Sequence, residues 1–304
     1  MQELLEQIVE QCRPQTEKGK VASYIPELAK ANPGELGVCV VTPEGAYCAG
    51  DWDRRFSMQS VVKPLILLLA LCDSGKERVR SLVGVEATGK PFDAFNYSVQ
   101  ALTGAHINPM INTGAIALCT LIRGESYEEK FRRLLDLARQ LSGNPGMELM
   151  ESVYLSEKAT GSKNRALAYM LKAHGMIQAP VEELIDLYFK ACSIDTSCLD
   201  LARIASVFAN RGVDIASGQR LVDADLARYV NATLATCGMY DGSGEFALNV
   251  GIPAKSGVGG GIMGVVPGRM GVGVYAPALD KKGNSVAGIR AMELLSQKLE
   301  LSVY

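Results

Sequence analysis

The chain's most informative segment reads Phe56-Ser-Met-Gln-Ser60-Val-Val-Lys63-Pro64. A serine three residues before a lysine is typical of a hydroxyl nucleophile with an amine base, and residues i and i+3 share one face of a helix. Pro64 has no backbone N–H and is tolerated only in a first helical turn. The segment therefore predicts a helix that begins near Ser60, where free N–H groups would favour an oxyanion.

A second motif lies near the other end of the chain. Lys255-Ser-Gly-Val258 opens a glycine-rich segment, residues 256–264, whose pattern indicates strand, tight turn and strand. An early S-x-x-K and a late K-[ST]-G occur in this order in serine β-lactamases and penicillin-binding proteins. Roughly one S-x-x-K is expected by chance in a chain of this length, so each motif alone is weak. Together they indicate an acyl-transfer site.

Composition argues against several functional classes. The net charge of −2 and the scattered basic residues give no electrostatic reason to expect nucleic acid. The longest apolar run, residues 61–72, is about half the length that spans a bilayer, so we predict no membrane partner. The first ten residues are acidic and amphipathic, unlike a secretory signal. The sequence therefore predicts a cytoplasmic protein.

Cysteine and histidine usage limits the chemistry further. The eight cysteines include no C-x-x-C pair, which predicts reduced thiols in a cytosolic core rather than disulfides or a metal site. Only two histidines, His106 and His174, are present, which argues against a Ser-His-Asp triad and a histidine-rich metal site. We therefore predict neither a cofactor nor a metal, with lysine or tyrosine as the proton carrier.

Strand patterns lie at both ends of the chain and helical patterns lie between them. A hairpin is predicted over residues 36–49, and two more strands over Gly261 to Val266 and Met270 to Tyr275. Helices are predicted over 2–12, 60–73, 126–141, 164–173, 181–192, 198–211, 225–236 and 286–300.

This arrangement predicts one α+β catalytic domain over residues 1–304. Its antiparallel sheet would come from the N- and C-terminal segments, with flanking helices, in a lobe of about 1–60 and 245–304. A helical lobe of about 61–244 would be inserted, with Ser60 at the junction, where ligand clefts are common. The predicted architecture is that of the β-lactamases and transpeptidases.

Seven motifs occur in order over about residues 18–300. They are Phe56-Ser-x-Gln-Ser60-x-x-Lys63, Asn108-Pro-Met-Ile-Asn112-Thr-Gly114, Ser156-Glu157, Asn164, Tyr188-Phe-x-x-Cys192-Ser193, Gly238-Met-Tyr240-Asp-x-Ser-Gly244 and Lys255-Ser-Gly-Val258. Together they resemble the serine-dependent glutaminases, which hydrolyse L-glutamine to L-glutamate and ammonia. The resemblance implies a β-lactamase-like fold and a homodimer or homotetramer. One departure is Lys163, where the family usually has arginine.

The resemblance implies catalytic roles for particular residues. Ser60 would attack the side-chain amide carbon of glutamine, and neutral Lys63 would take its proton. The backbone N–H groups of Ser60 and Val258 would form the oxyanion hole. Tyr188 and Tyr240 would point into the site, and Tyr240 is a candidate to pass the proton to departing ammonia.

The resemblance also implies how the zwitterionic substrate would be held. Glu157 would bind the α-ammonium, while Asn112, Asn164 and Tyr188 would hydrogen-bond the α-carboxylate. Tyr24 resembles a third tyrosine of the site. Taken singly, a residue of this kind is more often a solvated carboxylate, a turn residue or part of a core. The order in which these residues occur together along the chain is what favours a binding site.

Two alternatives stay open at this point. One is another acyl-serine hydrolase, a β-lactamase or D-alanyl carboxypeptidase, although these enzymes normally carry a signal peptide and an S-x-N type motif. The other is a non-catalytic ligand sensor on the same fold, which would need neither Ser60 nor Lys63. Cleavage of glutamine or of a chromogenic β-lactam distinguishes them.

Overall fold

The central sheet of the protein is built from both ends of the chain. A computed structural model describes residues 1–88 and 107–304. Five antiparallel strands in the order β3-β2-β8-β7-β6 form this sheet: β2 (Gly37–Thr42), β3 (Gly45–Gly50), β6 (Ala254–Ser256), β7 (Gly261–Val266) and β8 (Met270–Tyr275). Two short pairs join β1 (Lys20–Val21) to β9 (Ala278–Leu279), and β4 (Phe56–Ser57) to β5 (Asp195–Thr196). The prediction of an antiparallel sheet from the N- and C-terminal segments is confirmed.

Helices cover both faces of the sheet and fill the middle of the chain. They are α1 (Gln2–Cys12), α2 (Lys63–Leu82), α3 (Asn112–Cys119), α4 (Tyr127–Ser142), α5 (Glu151–Thr160), α6 (Ser162–Ala173), α7 (Val181–Cys192), α8 (Cys198–Ala209), α9 (Ala224–Cys237), α10 (Ser243–Asn249) and α11 (Val286–Leu299). Within residues 1–88 and 107–304, none has the length and apolar character needed to cross a membrane.

The two faces of the sheet belong to two hydrophobic cores. Val38 and Val40 of β2 belong to the core that also contains residues of α1 and α11. Cys39 and Val41, which alternate with them, face the larger core that contains α2 and α8. Successive side chains of a strand point to opposite faces, so the sheet is buried between two helical layers. This is the α+β architecture predicted from the sequence. The division into lobes near residues 60 and 245 stays a prediction.

Most predicted elements are present, and the differences have physical reasons. The 60–73 prediction corresponds to a 3₁₀ turn, Gln59–Val62, followed by α2. Gly75 has a positive φ of 77° and interrupts α2. The predicted helix ends at residue 73, just before this break. Helices α3, α5 and α10 were not predicted. The α3 sequence is almost uniformly apolar and buried, so it has no polar face to reveal a helical period.

The prediction of reduced thiols is wrong for one pair of cysteines. Cys39 and Cys48 lie directly opposite each other on β2 and β3 and are joined by a disulfide. Both residues are equally distant from the turn at residues 43–44, so the hairpin register itself brings them together. The other six cysteines are free. His106 lies outside the described residues.

Candidate active site

Ser60 and Lys63 meet at the start of α2. Lys63 Nζ donates hydrogen bonds to Ser60 Oγ at 2.9 Å and to Asn112 Oδ1 at 2.7 Å. Pro64 lies in the first turn of α2, where its missing N–H costs little. The 3₁₀ turn at residues 59–62 keeps the hydroxyl and the amine on one side of the chain. The predicted contact between the two side chains is therefore present.

Burial makes Lys63 easier to deprotonate than an ordinary lysine. The side chain is fully buried, and because burial disfavours an ammonium, it lowers the pKa of Lys63 to about 8, with Cys192 and Glu157 acting in the opposite direction. An ordinary lysine is almost wholly protonated at neutral pH. This one is neutral in an appreciable fraction of molecules.

Asn112, the first residue of α3, connects the dyad to the rest of the site. Its amide oxygen accepts the hydrogen bond from Lys63 Nζ, and its Nδ2 donates to Asn164 Oδ1 at 2.9 Å. The Tyr188 hydroxyl donates to the same Asn112 oxygen at 3.3 Å. The sequence predicted only a substrate contact for Asn112. The structure adds a direct contact with the general-base candidate.

Glu157 is a buried carboxyl group in the same region. It lies on α5 and is 4% exposed, and Gln59 Nε2 donates to its Oε2 at 3.4 Å. Burial raises the pKa of Glu157 to about 8, while the bond from Gln59 and the charge of Lys63 act in the opposite direction. A carboxylate in such a place is stabilised by an incoming cation.

The glycine-rich loop lies against the turn that carries Ser60. A Cβ on Gly257 would lie 2.7 Å from the Met58 carbonyl oxygen and 3.0 Å from Val61 Cγ2. Only glycine allows this approach. The next residue, Val258, lines the same cavity as Ser60. The two backbone segments predicted to form an oxyanion hole are therefore adjacent.

Three predicted tyrosines surround the dyad at different depths. Tyr188 on α7 is fully buried, and burial raises its pKa well above the usual value. Tyr240 packs with Val258 and has a positive φ of 56°, which is uncommon for a tyrosine. Burial also raises the pKa of Tyr240, while a hydrogen bond with Ser60 acts in the opposite direction. Tyr24 is 55% exposed and lies at the cavity wall.

These side chains enclose a cavity of about 340 Å³, which we call the central cavity. Its lining consists of Tyr24, Ile25, Gln59, Ser60, Asn112, Glu157, Thr160, Gly161, Lys163, Asn164, Tyr188, Cys192 and Val258. Lys63 and Tyr240 are not part of this lining, and each instead contacts Ser60. The structure thus brings every predicted site residue to one place.

Two residues of this region had no predicted role. Gln59 precedes the nucleophile candidate, has a positive φ of 47° and contacts Glu157. Its position next to Ser60 in the sequence is the signal that could have predicted a role for it. Lys255 was recognised only as part of a motif, yet its buried amine lies 4.3 Å from the centroid of the Tyr240 ring.

The geometry fits acyl transfer to a small zwitterion. The dyad supplies a nucleophile and a base, the 257–258 loop offers N–H groups near the nucleophile, and Glu157 offers a negative charge. Among the described residues, no group of three or more His, Cys, Asp or Glu side chains could hold a metal ion.

Comparison with known proteins gives a consistent result. The family model Glutaminase matches residues 19–304. The chain is 49% identical over 305 residues to the glutaminase of Clostridium tetani, with both chains fully covered. It is 50% identical over 302 residues to that of Clostridioides difficile, covering 99% of this chain and 98% of the relative.

A solved structure extends the comparison to the fold. It is the covalent complex of a Bacillus subtilis glutaminase with 5-oxo-L-norleucine, formed by reaction with 6-diazo-5-oxo-L-norleucine. The TM-score is 0.90 at 37% identity, and the match covers 99% of this chain and 98% of the other. The fold is therefore the β-lactamase-like fold of the bacterial glutaminases.

Proposed function

This chain belongs to the glutaminase family, and from that premise we propose that Ser60 and Lys63 carry out its hydrolysis of L-glutamine to L-glutamate and ammonia. The observation that carries the proposal is the 2.9 Å hydrogen bond between Lys63 Nζ and Ser60 Oγ beside the central cavity. Ammonia release from glutamine, with no cleavage of a chromogenic β-lactam, is the expected assay result. Lactam cleavage without ammonia release would contradict it.

The reaction proceeds in two steps. Ser60 Oγ attacks the side-chain amide carbon and transfers its proton to neutral Lys63, while the oxyanion accepts hydrogen bonds from the Ser60 and Val258 N–H groups. The proton then reaches the departing nitrogen, with the Tyr240 hydroxyl as the relay, and ammonia leaves a γ-glutamyl ester on Ser60. In the second step Lys63 accepts a proton from water, which attacks the ester carbon. The bond to Ser60 Oγ then breaks, Lys63 returns the proton to that oxygen, and glutamate is released.

The polar lining of the central cavity selects an α-amino acid. Glu157 is the counter-charge for the α-ammonium, because it is a buried carboxyl group that accepts its hydrogen bond from the neutral amide of Gln59. Asn164, Tyr188 and the Asn112 amide group lie next to one another and bind the α-carboxylate. Tyr24 lines the exposed side of the cavity and covers the bound substrate.

We expect kcat to rise with pH and to level off above about pH 9. Lys63 must be neutral to accept the proton, and its lowered pKa of about 8 means that the neutral fraction grows as pH rises through that value. The measurement is kcat at saturating glutamine and constant ionic strength between about pH 6 and 10. We choose kcat because Glu157 also titrates near pH 8 in the free protein and would affect KM. A flat profile would contradict a lysine base.

We also propose that the chain forms a homodimer or homotetramer. Leu155 and Tyr169 on α5 and α6 are each about half exposed, and Leu248 is 86% exposed. A subunit contact would bury such apolar surface. Light scattering of the purified protein tests this, and a particle of a single 32.5 kDa subunit would contradict it.

The proposed location is the cytoplasm. Six free cysteines support it, since five of the six are buried as thiols. The Cys39–Cys48 disulfide runs against it, because stable disulfides are rare in a reducing compartment.

A further inference from the structure

Lys255 is a buried lysine that the reaction scheme above does not use. It lies on β6 and has no exposed surface. Its Nζ donates to the carbonyl oxygens of Gly238 at 2.9 Å and Ser256 at 2.7 Å. The same nitrogen lies 4.3 Å from the centroid of the Tyr240 ring. These three partners are all electron-rich, and a lysine ammonium has three N–H groups to offer them.

The contacts of Lys255 join two segments of the catalytic site. Gly238 ends α9 two residues before Tyr240, and Ser256 lies two residues before Val258. The Ser256 N–H also donates to the Gly238 carbonyl oxygen at 3.2 Å. The amine therefore lies at the point where the turn that carries Tyr240 meets the strand that leads to the oxyanion loop.

The Tyr240 turn needs such support. A left-handed backbone conformation at a residue other than glycine costs about 1–3 kcal/mol and persists only when its surroundings impose it, and Tyr240 has a φ of 56°. A contribution to the stability of the fold does not by itself explain why a lysine amine occupies this buried position. Burial and the neighbouring Lys63 lower the pKa of Lys255, and an apolar side chain of similar volume would avoid the cost of burying a polar group.

We propose that Lys255 is a positioning residue that holds the Tyr240 hydroxyl at Ser60 and fixes the oxyanion loop against the same turn. The proposal rests on the proposed function, in which Tyr240 relays the proton to ammonia. Lys255 is not among the residues that line the central cavity, and its contacts are with Gly238, Ser256 and Tyr240. Its effect on the rate is therefore transmitted through Tyr240 and Val258.

The test is a double-mutant cycle between Lys255→Met and Tyr240→Phe. Methionine keeps the length of the side chain and removes the N–H groups, and phenylalanine keeps the ring and removes the hydroxyl. We expect Lys255→Met to lower kcat by about 10- to 100-fold, as small displacements of catalytic groups do, with KM changed by less than about threefold. In the Tyr240→Phe background the same substitution should lower kcat less, because the hydroxyl that Lys255 positions is absent and only its effect through Val258 remains.

The outcomes separate this proposal from the proposed function. Equal losses in both backgrounds, or a lowered melting temperature with unchanged kcat, would overturn the role of Lys255. An unchanged kcat in Tyr240→Phe alone would overturn the relay itself, whatever Lys255 does. Lys255→Gln, which keeps one donor group, replaces the methionine variant if that one does not fold. Lys298→Met, at an exposed position of α11, is the matched control and should leave kcat unchanged.

Discussion

Ser60→Ala is expected to abolish glutamine hydrolysis and to leave glutamate binding measurable. The substitution removes the attacking Oγ and leaves the other residues of the central cavity in place. Loss of a serine nucleophile lowers kcat by about 10⁴-fold or more. Ammonia release measures the activity, and titration calorimetry with L-glutamate measures binding.

Ser57→Ala supplies the matched control for this prediction. Ser57 is also a buried serine, three residues earlier, and its hydroxyl contacts Gln59 rather than Lys63. This variant should keep most of its activity. Substantial activity in Ser60→Ala, at a level near that of Ser57→Ala, would refute the Ser60–Lys63 dyad.

Glu157→Gln is expected to raise KM for glutamine by roughly 10- to 150-fold, because a charge-assisted hydrogen bond contributes about 1.5–3 kcal/mol. Glutamine has nearly the same shape as glutamate and can still accept the hydrogen bond from Gln59. The α-ammonium of the substrate would, however, lose its buried counter-charge. The effect on kcat should be smaller, since the group lies away from the bond that breaks. Steady-state kinetics at a fixed pH above 8 measure both constants.

Glu151→Gln makes the same chemical change at the exposed start of the same helix. Its KM should equal that of the unmodified protein. If Glu157→Gln also left KM unchanged, the α-ammonium would have to bind elsewhere. If it lowered kcat alone, Glu157 would act in the chemical step instead.

Local patterns were sufficient to predict the dyad and the strands that surround it. Ser60 and Lys63 are close in sequence, and Pro64 fixes the helix start, so their contact follows from one helical turn. The strands at Gly261–Val266 and Met270–Tyr275 follow from alternating side chains around the Pro267-Gly268 turn. In each case the information lies within about ten residues.

Contacts between distant segments were not predictable from spacing. The contact between Asn112 Oδ1 and Lys63 depends on how α3 packs on α2, and the contact between Lys255 and Gly238 depends on the approach of α9 to β6. The disulfide depended on the exact register of the predicted hairpin. Cys39 and Cys48 are equidistant from the observed two-residue turn, whereas composition alone predicted reduced thiols.

The strand order has a consequence for synthesis on the ribosome. Strand β2 ends at Thr42, but its partner β8 begins only at Met270, more than two hundred residues later. At 5–20 residues per second, the β2–β3 hairpin and the apolar α2 wait roughly 10–45 s before the sheet can close. During that time an unpaired strand edge is available to other chains. A chain that ends before Met270 lacks the strand that pairs with β2, so it cannot close the central sheet.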